Sequence, residues 1–213
     1  MARQRRRASD TSTQRVAWTL HRTQIRCWVG GRVWSPQRRH DKFLVGYEAT
    51  QGATPEEFTV KKFDPPQEDS SFYLAAAVAI DAALRDFQGE KRPYNVAALP
   101  APTNQLYVYV LPAQTKAGIY PLGGDVRYLV TPDGGSIVEK RQLHKMILEI
   151  PRDSIPKGTT PAGGVHTHVL SDVPEDTDVF HVLTRQPSQP EFIGTRKKIY
   201  EISVDETIRE SKK

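Results

Sequence analysis

The sequence predicts an α+β domain, in which one amphipathic helix packs on a curled antiparallel sheet of about six or seven strands, behind a flexible basic tail. Three observations carry this reading. One stretch, near residues 71–88, has apolar residues at helical spacing. Most apolar segments after it are short, β-branched or aromatic, and separated by proline and glycine. The composition also changes sharply near residue 42.

The chain has 213 residues, enough for one ordinary domain with a self-sufficient core and an appendage. Of 30 Lys and Arg, 11 lie in residues 1–42, with only 2 of the 25 Asp and Glu, so that segment carries +9 and the remainder −4. All of Trp18, Trp28, Trp34 and the single Cys27 fall there too. Apart from short pieces such as Arg15–Trp18 and Ile25–Val29 it has little apolar periodicity, so residues 1–42 are expected to be a disordered extension and 43–213 a single domain. An arginine-rich arm with interspersed aromatics is also suited to binding nucleic acid, and Met1–Gln14 has the composition of a transit peptide. An overextended gene start is a further account of the change in composition.

Along the body, Phe58–Phe63 alternates like a strand that ends at Asp64-Pro65-Pro66. Asp69, Ser70 and Ser71 offer caps for the helix, whose core face would be Tyr73, Ala76, Ala77, Ile80, Leu84 and Phe87, with Gly89 as the stop. Leu106–Leu111 is a strand, and Val126–Thr131 with Ser136–Ile150 form a hairpin around Pro132-Asp133-Gly134-Gly135. The apolar phase of the second arm slips between Leu143 and Met146, as an extra residue in one strand would cause. After a loop from Pro151 to Pro161, strands are expected at about 163–170, 179–184 and 191–203, and Asp205–Lys213 is expected to fray.

One cysteine excludes an internal disulfide and a cysteine-rich zinc module. No run approaches the roughly 18–20 apolar residues of a membrane span, and there is no secretory signal, so a soluble, cytoplasmic protein without membrane contacts is expected. The glycine pairs Gly123-Gly124 and Gly163-Gly164 lack the strand, loop and helix setting of a phosphate-binding motif and read as turns or bulges. Tyr107, Tyr109 and Tyr128 suit a cleft or a core, and Arg127, Arg141 and Arg185 suit an anionic ligand or water.

The stretch most suggestive of chemistry is His166-Thr167-His168, followed by Asp172, Glu175, Asp176 and Asp178. On a strand alternate side chains share a face, so His166 and His168 form a pair, and the following turn can bring back an acid. Imidazole and carboxylate are ligands of zinc and related divalent ions. The candidate metal ligands are therefore His166, His168 and one of the acids Asp172, Glu175, Asp176 or Asp178, with a neighbouring carboxylate as a catalytic base for hydrolysis of an amide or ester by metal-bound water. Without a metal, the histidines could act as acid and base near neutral pH. The plain alternative is a solvated turn rich in carboxylates. His144 and His181 are lesser candidates, His181 because as part of a strand it would share the parity of Val179 and Leu183.

His166-Thr167-His168 and Asp178 resemble the metal motif of the JAMM-type metalloproteases, a His-x-His strand end followed by Ser-x-x-Asp opening the next element. The resemblance spans about thirteen residues and implies a zinc hydrolase with His166, His168 and Asp178 as metal ligands, beside which Glu175 is the candidate catalytic base. Glu175 stands at the serine position, and no Glu lies between Lys91 and Val138 for the upstream base. His166, His168 and Asp172 are also similar to the opening of a cupin metal motif, although the later histidine, His181, follows closely. The span from Leu106 to Glu201 resembles uncharacterised bacterial proteins that share its Gly-Gly-Asp-x-Arg-Tyr, Leu-His and His-Thr-His elements. The expected function is thus a divalent-metal site, hydrolase-like if catalytic, on an unidentified small molecule or protein. The alternatives are a non-enzymatic protein-binding or structural domain, or nucleic-acid binding by the arm.

Overall fold

A computed structural model describes residues 16–21, 24–29, 43–52, 57–150 and 158–211. The order is β1 (Val16–His21), β2 (Gln24–Val29), β3 (Phe43–Gln51), β4 (Phe58–Asp69), α1 (Phe72–Asp86), β5 (Tyr94–Pro100), β6 (Leu106–Pro112), β7 (Leu122–Gly123), β8 (Val126–Val130), β9 (Ile137–Gln142), β10 (Ile147–Leu148), β11 (Gly164–Thr167), α2 (Asp176–Thr184), β12 (Glu191–Gly194), β13 (Ile199–Ile202) and β14 (Ile208–Glu210). The class is α+β, but the sheet is larger than the six or seven strands expected. Eight strands form one sheet in the order β4-β3-β2-β1-β5-β6-β8-β9, while β10-β7 and β11-β12-β13-β14 form two smaller ones. Neighbours are antiparallel except β1 with β5 and β11 with β12. Strands β1 and β2 fall inside the segment set apart by charge, and the other residues of 1–42 lie outside the described residues.

Helix α1 starts where Asp69 Oδ2 accepts the backbone N–H groups of Ser71, Tyr73 and Leu74 at 3.2, 3.0 and 3.2 Å, satisfying donors that an isolated helix end leaves open. Its buried face, Tyr73, Ala76, Ala79, Ile80 and Ala83, packs on Val96 and Ala98 of β5, Val108 and Val110 of β6, and Val126, Tyr128 and Val130 of β8. These alternate residues share one sheet face, as the two-residue period of a strand requires. Tyr107, Tyr109, Arg127 and Arg141 therefore lie on the other face, which receives the start of α2.

Four expectations are corrected. Residues 179–184 are not a strand but part of α2, with Val182 buried against Ile193 and Ile202, and Phe180 and Leu183 exposed. A six-residue apolar run fits either period, and acids at the first turn favour a helix. The second hairpin arm does not run to Ile150, because β9 ends at Gln142 and the chain crosses to pair with β7 as β10. Strand β4 continues beyond Pro65-Pro66, which sit in an irregular stretch between the pairs Tyr47 with Lys62 and Val45 with Gln67. Ile208–Glu210, in the tail expected to fray, pairs with β13. No helix among the described residues is long and apolar enough to cross a membrane.

Candidate metal centre

Strand β11 turns His166 and Gly164 toward α2 and leaves Val165 71% exposed on the opposite face. His168, just beyond the strand, keeps the same direction because its N–H still bonds the Gly194 carbonyl at 2.8 Å. The loop then reaches α2, where Asp178 is the third helical residue and its Oδ2 accepts the Glu175 N–H at 2.7 Å. An acid at this position closing on the residue before the helix is a common helix start. His144 arrives from the other side, in the crossing between β9 and β10.

His144, His166, His168 and Asp178 are all buried, and one ligand atom from each lies within 4.8 Å of every other, so the group could hold a metal ion. The Nε2 atoms of His144 and His166 lie 2.9 and 3.1 Å from Nε2 of His168. Asp178 Oδ1 lies 3.0 and 3.1 Å from His144 and His166, and Oδ2 lies 3.1 Å from His168. A tetrahedral zinc ion bonded at about 2.0–2.1 Å separates its ligands by roughly 3.3 Å, so these side chains fit the ion after moving apart by a few tenths of an ångström.

The outer nitrogens decide what the inner ones are. Nδ1 of His144 meets Asp125 Oδ1 at 2.8 Å, Nδ1 of His166 meets Glu191 Oε1 at 2.8 Å, and Nδ1 of His168 meets the Val173 carbonyl at 3.0 Å. A carbonyl and an ionised carboxylate only accept, so each Nδ1 carries a proton, and a neutral ring then has a bare lone pair at Nε2. Three lone pairs and a carboxylate face one point. Such an arrangement repels itself unless a cation or extra protons sit there, and outer carboxylates of this kind orient metal-bound histidines.

Without a metal, protons take that place. Burial works against a charged His144, but hydrogen bonds to Asp125 and Asp178 outweigh it and raise its pKa to about 10. His166 is raised in the same way by Asp178 and Glu191 against burial. Burial would raise Asp178, yet its bonds to the three histidines hold it well below the usual carboxylate range.

Close packing of backbone on side chain builds the outer layer. A Cβ at Gly164 would collide with the Glu191 carboxylate and with Arg185, so only glycine leaves room for the Arg185–Glu191 pair, 2.7 Å long, beneath His166. Gly123 and Gly124, with φ of +82° and +65°, press against Met146 and Ile147 and carry Asp125 to His144, whose neighbour Leu143 donates its N–H to the Asp125 carbonyl at 3.1 Å.

Of the residues singled out in the sequence, His166, His168 and Asp178 come together. Glu175 stands beside them, but its Oε1 meets Arg141 at 2.5 Å. Asp172, the acid of the cupin-like alternative, pairs with Lys197 at 2.8 Å away from the cluster. His181 lies on α2 next to Arg185, outside the cluster, and burial and that guanidinium depress its pKa to about 4. The arginines offered for an anionic ligand are bound by this chain's own acids, Arg127 by Asp176, Arg141 by Glu175 and Arg185 by Glu191. His144, only a lesser candidate in the sequence, joins the cluster, and Asp125 and Glu191 behind the rings are the residues that spacing did not select. The signal for Asp125 and His144 was the Gly-Gly-Asp and Leu-His elements, which meet His-Thr-His here, whereas Glu191 carried none.

The fold and cluster define an α+β protein with a buried three-histidine, one-aspartate group able to hold a metal ion. Comparison with protein-family models, curated proteins and solved structures gave no match.

Proposed function

We propose that this chain is a divalent-metal protein that binds its ion through His144, His166, His168 and Asp178. The observation that carries the reading is the convergence of three imidazole lone pairs on one carboxylate, each imidazole fixed from behind through Nδ1. Three nitrogens and one oxygen suit zinc best among the common ions, since magnesium and calcium favour oxygen shells. Four protein ligands fill a tetrahedral shell, which is the pattern of a structural site. The ion would tie the β9–β10 crossing to the β11–α2 unit.

Hydrolysis is the second reading, favoured by the placement of His166 on a strand, His168 just beyond its end and Asp178 at the next helix start, as in the JAMM-type motif. A bound zinc would supply an activated water and a Lewis acid. The ion pair of Glu175 with Arg141 suits a positioning role better than proton transfer.

Elemental analysis tests the first reading. Full-length protein dialysed against metal-free buffer should retain near-stoichiometric zinc or a similar ion, and His166→Ala/His168→Ala should retain none. A wild-type chain that takes up no metal even when zinc is offered would retire it. Turnover of amide or ester substrates that disappears on chelation would favour the hydrolase.

A further inference from the structure

Arg127 and Arg141 are direct partners on β8 and β9, so two cationic side chains leave the same sheet face from adjacent positions. Like charges placed this way repel and require compensation. It comes from consecutive acids at the start of α2. Glu175 Oε1 meets Arg141 Nη2 at 2.5 Å, and Asp176 Oδ2 meets Arg127 Nη1 at 3.0 Å and also accepts the Tyr109 hydroxyl. The Glu175 side chain is only 4% exposed, and a carboxylate so enclosed depends on its cation.

The same few residues connect to the metal ligands. Glu175 N–H holds Asp178 Oδ2, which leaves Oδ1 facing His144 and His166. Arg141 precedes His144 by three residues, so one strand end supplies both a ligand and the anchor of the opposing ligand. A shift of α2 against β9 would disturb both contacts at once.

We infer that the Arg127–Arg141 pair is a positioning device for the metal centre, which docks the acidic start of α2 so that Asp178 meets His144 in register. The inference rests on the metal-binding reading. Neither arginine touches the ion; Arg141 acts through Glu175, and Arg127 through Asp176.

The test is zinc affinity of the full chain by competition with a chromogenic chelator, together with the visible spectrum of the cobalt-substituted protein. Arg141→Met should weaken zinc about 10- to 100-fold, the usual effect of losing an outer-layer partner, and should alter the cobalt bands. Arg141→Lys should recover most of the affinity. Because Arg141→Met leaves Glu175 without a cation, Arg141→Met/Glu175→Gln serves as a neutral pair that keeps the fold. It should melt like the metal-free wild type yet still bind zinc weakly. Wild-type affinity and spectrum in Arg141→Met, or recovery of affinity along with stability in the neutral pair, would overturn the inference while leaving the metal site intact. A wild-type chain that binds neither zinc nor cobalt would overturn the metal reading itself.

Discussion

His166 shows how much a single proposed ligand depends on what stands behind it. Its Nδ1 is held by Glu191, Glu191 is held by Arg185, and Gly164 keeps the space for both. Glu191→Gln should therefore weaken zinc by about 10-fold or more in chelator competition without removing any ligand. The raised pKa of His144 sets the pH response of the metal-free protein. Its folded value is about 10 and the unfolded value about 6.5, so its contribution to stability is full below about 6.5 and is lost as pH rises through 10. Asp178 acts with the opposite sign, since its stabilisation holds above the ordinary carboxylate range and is lost only in acid. The urea midpoint of chelator-treated protein should fall from pH 6 to pH 9, while the gain on adding zinc should grow, because zinc competes with the protons on the histidines. A gain that shrinks with pH would contradict this. At this scale the proximity of His166 and His168 to an acid of the next turn was legible, since strand alternation and a short loop restrict where such residues can point. His144 was only a lesser candidate because its approach depends on pairing of β10 with β7, which local spacing does not encode.

Helix α2 brings the acid into the centre, and it is the element that the apolar pattern misassigned. Val179, Val182 and their neighbours fit strand alternation and helical spacing over so short a run, and the deciding signals are the acids of the first turn and the small core beneath. The two assignments differ at one pair of residues. A strand would place Phe180 and Val182 on the same face, whereas the helix buries Val182 and leaves Phe180 51% exposed. Phe180→Ser should change stability by no more than about 0.5 kcal/mol in urea unfolding, and Val182→Ser should cost about 1–3 kcal/mol and weaken zinc as well. Equal costs would argue against the helix. Helix α1 was legible because its periodicity runs for four turns, and the β8–β9 turn because proline and glycine mark it. The break after Gln142 left only a slipped apolar phase as its trace.

Across the whole molecule the two cores are unequal. Among the described residues, fifteen buried ones join α1 to the large sheet, whereas only Val182, Ile193 and Ile202 form the buried centre of the β11–β14 sheet and α2. So small a core gives little independent stability, and the ion would supply what apolar burial does not. Hydrogen exchange should therefore accelerate on chelation in β11, α2 and β12, and remain slow in α1, β6 and β8. Uniform acceleration, or none, would contradict a metal-dependent unit. The α+β class was readable from the sequence, but the division of the described strands into three sheets was not, since pairing of distant strands leaves no local signature. The most direct test of the central claim is X-ray absorption at the zinc edge of the zinc-loaded full-length chain. The expected result is a first shell of four nitrogen and oxygen atoms at about 2.0–2.1 Å with outer-shell scattering from three imidazoles. A six-oxygen shell, or zinc with fewer than two imidazoles, would contradict it.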